Sequence, residues 1–226
     1  MPQVDASVLV TGGAGGLGRA VTQALLDAGW RVVVPTETEA ELEERERLET
    51  CVADLTDPDD VARAVRRAAG EEQRPLKALV NLVGGFAAGQ PVAETPLIEF
   101  ERQFTLNLRP TYLVTQAVLP HLCANAGGSI VCTSSNAALQ PFAGAAGYVA
   151  SKAAVLAFAK VVAAEHAAEG VRCNAIVPTM IDTPANRAAM PESEHHKLVP
   201  PDRIAKVVRY LVSDESAAVN GQGIVV

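Results

Sequence analysis

The chain has 226 residues, 49% of them apolar and only 4% aromatic, with a formal net charge of -7. That length suits one α/β domain with a core of Ala, Val and Leu, and the acidic balance speaks against nucleic acid or an anionic membrane as a partner. Met1 to Ser7 lack the pattern of a signal peptide, no apolar run reaches the ~18 residues of a membrane span, and four scattered cysteines with the adjacent His195 and His196 point to reduced thiols and solvated histidines, not to disulfides or a metal site.

Short β-branched runs alternate with longer helical stretches. In chain order, strands are predicted at 7–11, 31–34, 50–53, 77–83, 129–133, 171–177 and 223–226, and helices at 17–28, 58–69, 96–125, 147–169 and 201–212. Val8-Leu9-Val10 and Val32-Val33-Val34 are continuously apolar, as strands buried on both faces are. Strict alternation gives a doubly wound parallel sheet with helices on both faces, because parallel strands need right-handed helical crossovers. The acidic stretch 37–49, interrupted by Arg45 and Arg47, reads as a solvated helix or loop. No linker or repeat divides the chain, so residues 1–226 are expected to form a single Rossmann-type domain.

The first predicted turn reads Thr11-Gly12-Gly13-Ala14-Gly15-Gly16-Leu17-Gly18. Glycines there permit positive φ, close approach of the backbone to a pyrophosphate, and tight helix–strand packing. The helix that follows directs its unpaired N–H groups and positive dipole end at phosphate. Further on, Tyr148 and Lys152 stand four apart in Tyr-Val-Ala-Ser-Lys, which puts both on one helical face. A phenol with a pKa near ~10 is a poor acid–base group at neutral pH. A neighbouring ammonium favours the phenolate and brings it toward the working range.

The spacing Thr-Gly-x-x-x-Gly-x-Gly, joined to Tyr-x-x-x-Lys, resembles the short-chain dehydrogenase/reductase family, and the matching motifs cover most of the chain. The resemblance implies that Gly12, Gly16, Leu17 and Gly18 border a dinucleotide and that Asp54 lies near its adenine. Asn81 and Gly84 match the first and last residues of the family's Asn-Asn-Ala-Gly, with Leu82 and Val83 as departures. Ser135, thirteen residues before Tyr148, takes the place of the catalytic serine, with Ser134 as the neighbouring candidate. Asn107 matches the asparagine that holds a water leading from the catalytic lysine to solvent. The implied tetrad is Asn107, Ser135, Tyr148 and Lys152, with Tyr148 and Lys152 also touching the cofactor.

At Thr36, members using NAD often carry Asp, and members using NADP often place Arg or Lys just after it or in the glycine loop. Neither is present. Glu37 would repel a 2′-phosphate, so NAD(H) is expected over NADP(H), with Arg45 or Arg47 as the bases that would reverse this. Asn174 to Thr179 resembles the family's Asn-x-x-x-Pro-Gly segment and brings Pro178, Ile181 and Thr183 to the nicotinamide. Residues at about 179–200 read as a substrate loop, a lid or a passive surface loop. The stretch from Asp182 to Pro191, with Gly84 to Gly89, is similar to dihydropteridine reductases of the same family, which makes Phe86, Asn186, Arg187 and Met190 substrate candidates.

The implied activity is hydride transfer between nicotinamide and a small carbonyl or alcohol. A pterin reductase and a non-catalytic dinucleotide-sensing regulator are the alternatives. A cytoplasmic homodimer or homotetramer, packed through 96–125 and 147–169, is the expected form.

Overall fold

The computed structural model describes residues 5–38, 42 and 45–226. Part of the acidic stretch, residues 39–41, 43 and 44, lies outside the described residues. Seven strands form one all-parallel sheet: β1 (Ser7–Thr11), β2 (Arg31–Thr36), β3 (Leu48–Val52), β4 (Leu76–Asn81), β5 (Gly128–Thr133), β6 (Val171–Val177) and β7 (Gly223–Val225), in the order β3-β2-β1-β4-β5-β6-β7. Every residue of β1 and β2 is buried. The apolar runs that marked these strands therefore face helices on both sides, and each buried Val or Leu contributes about 1.5–3 kcal/mol.

One face carries α1 (Gly16–Asp27) and α7 (Pro201–Val212), whose Val21, Leu25, Ile204 and Val208 pack on Val8, Val10 and Val32. The other face carries α2 (Pro58–Ala69), α4 (Arg109–Ala124) and α5 (Ala146–Glu165), whose Val61, Val65, Val114, Val118, Val155 and Ala159 share a core with Leu9, Leu79 and Ile130. The start of α2 was legible to the residue. Asp57 accepts hydrogen bonds from the Asp59 and Asp60 amides at 2.8 and 3.2 Å, and Pro58 occupies the first turn, where no N–H is needed.

One expectation needs correction. The single helix expected at 96–125 is two, α3 (Leu97–Asn107) and α4, meeting at Leu108. Pro110 has no N–H to give the preceding turn, so the ladder is interrupted there, and the Asn107 carbonyl instead accepts from Thr111 Oγ1 at 2.9 Å. The break leaves Asn107 at the end of α3, fully buried. By length and mean hydropathy alone α5 is long and apolar enough to cross a membrane, although it carries Lys152 and Lys160 and no continuous apolar run. Its buried positions Ser151, Lys152, Val155, Ala159 and Val162 fall on one stripe, turned to the domain's own core.

After β1 the chain runs outward to β2 and β3, then crosses back to β4 on the other side of β1. The helices leaving β1 and β4 therefore diverge and open a crevice at the carboxyl ends of the strands, where ligands of open α/β sheets bind.

Candidate active site

A cavity of about 780 Å³ fills that crevice. Its floor is the glycine loop, with Gly12, Gly16, Leu17 and Gly18 all lining it. Two of these glycines are dictated by geometry. Gly12 has φ +67°, and a Cβ on Gly18 would stand 1.9 Å from the Gly12 carbonyl oxygen. Only a chain without side chains there turns this tightly into α1. The α1 N-cap, Gly15, gives no side-chain cap, so the first helical amides stay available to an anion. Thr36 and Glu37 line the cavity beyond β2, Asp54 and Leu55 beyond β3, and Leu82 to Gly84 beyond β4. The Asp54 carboxylate accepts from the Thr56 hydroxyl and amide at 2.7 and 2.8 Å, which holds its pKa below the ordinary carboxylate range. Size, glycine floor and uncapped helix fit an extended dinucleotide. Of the expected cofactor residues, Tyr148, Lys152, Pro178 and Ile181 line the adjoining second cavity, and Asn81 and Thr183 line neither. Asn81 lies buried at the end of β4. It accepts from Thr11 Oγ1 at 3.4 Å and donates to Thr115 Oγ1 at 3.1 Å, tying β1 and β4 to α4.

The four residues of the expected tetrad converge on this crevice. Lys152 is buried and donates through Nζ to the Thr133 carbonyl at 3.0 Å. Asn107 Oδ1 accepts from the Gly85 amide at 2.9 Å, and its Nδ2 donates to Ser151 Oγ at 3.0 Å. A Cβ at Gly84 would come within 2.5 Å of Asn107 Oδ1 and 2.9 Å of Lys152 Nζ, so this glycine is what lets the β4 loop lie against both groups. Ser134, the alternative serine, is buried and donates to the Lys152 carbonyl at 2.8 Å, a bracing role. Ser135 sits at the start of the next turn, where its Oγ accepts from the Ala137 amide at 3.2 Å, and it shares the wall of a second cavity with Tyr148.

Burial raises the Tyr148 pKa above its ordinary value, and the neighbouring Ser135 hydroxyl opposes that rise. Burial pushes Lys152 down to about 8. The ammonium therefore remains charged at neutral pH, close to its own titration.

A second cavity of about 500 Å³ adjoins the first and shares Leu82 and Gly84 with it. Ser135, Tyr148 and Lys152 line it, as do Pro178, Ile181 and, of the expected substrate residues, Phe86 and Asn186. Phe86 meets the Tyr148 ring edge-on with centroids 4.9 Å apart. Arg187 and Met190 are not on its wall. The Arg187 guanidinium turns to Asp182 in a two-pronged pair, Nη2 to Oδ2 at 2.7 Å.

The loop carrying these residues folds into α6 (Pro184–Ala188) and a 3-10 turn over Glu192–Lys197. Thr183 caps α6, and its Cγ2 would lie 2.7 Å from a Cβ on Gly16, so the loop rests directly on the glycine floor. Sequence reasoning missed Gln140, Phe142 and Met180, which also line the second cavity. The usable signal was position: Gln140 and Phe142 lie between Ser135 and Tyr148, and Met180 follows Pro178, in the loops after β5 and β6.

The family model for short chain dehydrogenases matches residues 6–194. The chain belongs to the short-chain dehydrogenase family. It is 33% identical to 2-(R)-hydroxypropyl-CoM dehydrogenase of Xanthobacter autotrophicus over 96% of this chain and 95% of that one. It is 32% identical to L-xylulose reductase of Bos taurus over 94% and 91% of the two chains. Among solved structures, a short-chain dehydrogenase/reductase from Mycobacterium ulcerans superposes with a TM-score of 0.91 at 27% identity, covering 100% of this chain and 90% of that one. The seven-stranded single-domain sheet is the fold of this family, and the protein is an NAD(P)-dependent oxidoreductase of the alcohol and carbonyl class.

Proposed function

We propose that this short-chain dehydrogenase interconverts a small carbonyl compound and its alcohol, using NAD(H) in preference to NADP(H), with Tyr148 as acid–base group. The observation that carries this reading is the gathering of Ser135, Tyr148 and Lys152 on the wall of the second cavity, which shares Gly84 with the dinucleotide crevice. In the reducing direction Tyr148 gives its proton to the substrate oxygen. Ser135 holds that oxygen and stabilises the charge developing on it. Lys152 lowers the cost of the phenolate left behind, and Asn107 fixes the Gly85 backbone beside it. Gly12, Gly16, Leu17, Gly18, Thr36, Asp54 and Gly84 hold the dinucleotide, with Pro178, Ile181 and Thr183 toward its nicotinamide end. When bound, the nicotinamide supplies or accepts the hydride.

The cofactor preference rests on charge. Glu37 lines the crevice beside Thr36, and no Lys or Arg is among the described residues lining it. The two bases that would reverse the preference are engaged elsewhere: Arg45 donates to Gln23 Oε1 at 2.6 Å and Arg47 to the Gly29 carbonyl at 2.7 Å. A dinucleotide sensor has no use for a complete tetrad, so turnover is the stronger reading. Residues 179–200 act as the substrate loop, and the working form is a cytoplasmic homodimer or homotetramer.

Nicotinamide fluorescence during titration with NADH and NADPH is expected to give tighter NADH binding. Tyr148→Phe should keep that binding while kcat falls by about 10²–10⁴. Unchanged turnover in Tyr148→Phe removes the phenol from the mechanism, and tighter NADPH binding overturns the Glu37 reading.

A further inference from the structure

The second cavity has a chemical character that the family does not dictate. Large apolar side chains gather at its mouth although nothing covers them: Phe86 is 64% exposed, Phe142 50% and Met180 49%. The two phenylalanine rings stand 6.4 Å apart, and Phe86 meets the Tyr148 ring at 87°, so an aromatic wall rises beside the reacting oxygen's place. Isolated exposed apolar residues are ordinary, but three around one functional cavity are a surface waiting for apolar contact.

Apart from Lys152, the polar side of the same cavity is uncharged among the described residues. Asn136, Gln140 and the unpartnered Thr133 hydroxyl line it, and Asn186 is tied to the Ile181 carbonyl at 2.7 Å. Lys152 is the only charged side chain among the described residues that line the cavity, and its Nζ already donates to the Thr133 carbonyl. Arg187, the nearest base in the substrate loop's helix, is neutralised outside by Asp182. An anionic group held next to the reacting carbonyl thus loses water and meets no cation but Lys152, whose Nζ is tied to the Thr133 carbonyl and which in the proposed mechanism serves the Tyr148 phenolate, and this costs several-fold to many-fold in affinity.

We infer that the substrate is an uncharged carbonyl compound carrying an aromatic ring beside the carbonyl, its ring set against Phe86, Phe142 and Met180, and that carbonyl compounds with a carboxylate or sulfonate at that place are excluded. The inference rests on the oxidoreductase reading above. The carbonyl carbon takes the hydride carried by the reduced nicotinamide, its oxygen takes the Tyr148 proton, and the products are a neutral benzylic-type alcohol and the oxidised cofactor.

Three ketones separate the contributions: methyl phenylglyoxylate (neutral, with a ring), phenylglyoxylate (anionic, with a ring) and methyl pyruvate (neutral, ringless). With the better-bound reduced cofactor, kcat/KM is expected to be about 10-fold or more higher for methyl phenylglyoxylate than for either other ketone, the scale that apolar-pocket discrimination reaches. Because the ester and the acid differ in intrinsic reactivity, the deciding quantity is how the ratios move in variants. Phe86→Ala should shrink the advantage of methyl phenylglyoxylate over methyl pyruvate by about 10-fold. Gln140→Arg should shrink its advantage over phenylglyoxylate by a similar factor.

Phenylglyoxylate turned over as well as its ester overturns the inference, and so do ratios that stay fixed in both variants. Reduced cofactor bound normally with none of the three ketones reduced also overturns the substrate class and leaves the dinucleotide site standing. Absence of cofactor binding brings down the oxidoreductase reading itself.

Discussion

At the scale of single residues, the decisive group is Lys152. Its Nζ is buried against the Thr133 carbonyl, and burial lowers its pKa to about 8. The unfolded chain keeps the ordinary value of 10.5 and so binds more protons than the fold between about 8 and 10.5. Raising the pH through that window therefore stabilises the fold with respect to this group, and the burial penalty is fully present below it. In the proposed mechanism the same titration removes the ammonium that favours the Tyr148 phenolate. The pH profile of kcat/KM for the cofactor, which reports the free enzyme, is expected to be flat to about pH 8 and to decline above it. A profile still flat at pH 9.5 separates Lys152 from the activity.

At the scale of elements, the loop proposed to hold substrate is a short device on a fixed stem. Ile181 pairs with Val199, the Asp182 amide donates to the Val199 carbonyl at 2.8 Å, and the Val199 amide donates to the Met180 carbonyl at 2.9 Å. Between these strands of the stem, α6 is held by the Thr183 cap, the Asp182–Arg187 pair and His195 Nε2 on the Arg187 carbonyl. The ion pair is solvent-exposed and screened by salt, so its work is local. Asp182→Ala should raise KM for the carbonyl a few-fold and speed amide hydrogen exchange across 183–190, with exchange in α5 unchanged. Exchange across α6 as slow as in the parent would show that the pair does not hold the loop. The Pro110 break works at the same scale: by ending α3 at Asn107 it turns a helix-interior residue into one that holds the Gly85 amide.

At the scale of the whole molecule, one buried charge links four parts of the chain. Arg31, 5% exposed, reaches Glu49 at 2.8 Å and Glu71 at 2.9 Å, and donates to Ser7 Oγ and to the Ala68 and Arg67 carbonyls. Burial would raise the Glu49 carboxyl, but Arg31 and Arg67 outweigh it and hold the pKa below the ordinary value. Arg31→Met leaves the Arg67 and Ala68 carbonyls without the guanidinium and Glu49 and Glu71 with only Arg67 and Arg74 as partners, and should lower the stability in urea by about 2–3 kcal/mol. A loss under about 0.5 kcal/mol would show that solvent replaces the guanidinium. Assembly belongs here as well. Leu97, Ile98, Tyr112 and Val161 are about half to two-thirds exposed on α3, α4 and α5, an apolar surface that the proposed homodimer or homotetramer covers. Sedimentation at micromolar concentration is expected to give two or four copies, and a monomer refutes the assembly.

The sequence alone determined the sheet, the crevice and the order of the tetrad. Buried parallel strands need unbroken apolar runs such as Val32-Val33-Val34, a pyrophosphate-sized turn needs the glycines at 12, 16 and 18, and a four-residue spacing puts Tyr148 above Lys152 on any helix. These are local requirements, written in residues close together in the chain. Tertiary structure alone decided where Arg187 points, that Asn81 braces the floor instead of lining it, that Gly84 is pinned between Asn107 and Lys152, and that Phe142, Gln140 and Met180 share a wall with Phe86. Each of those depends on loops from different strands meeting at one edge of the sheet, and the periodicity that reveals helices and strands carries no record of where such loops come to rest.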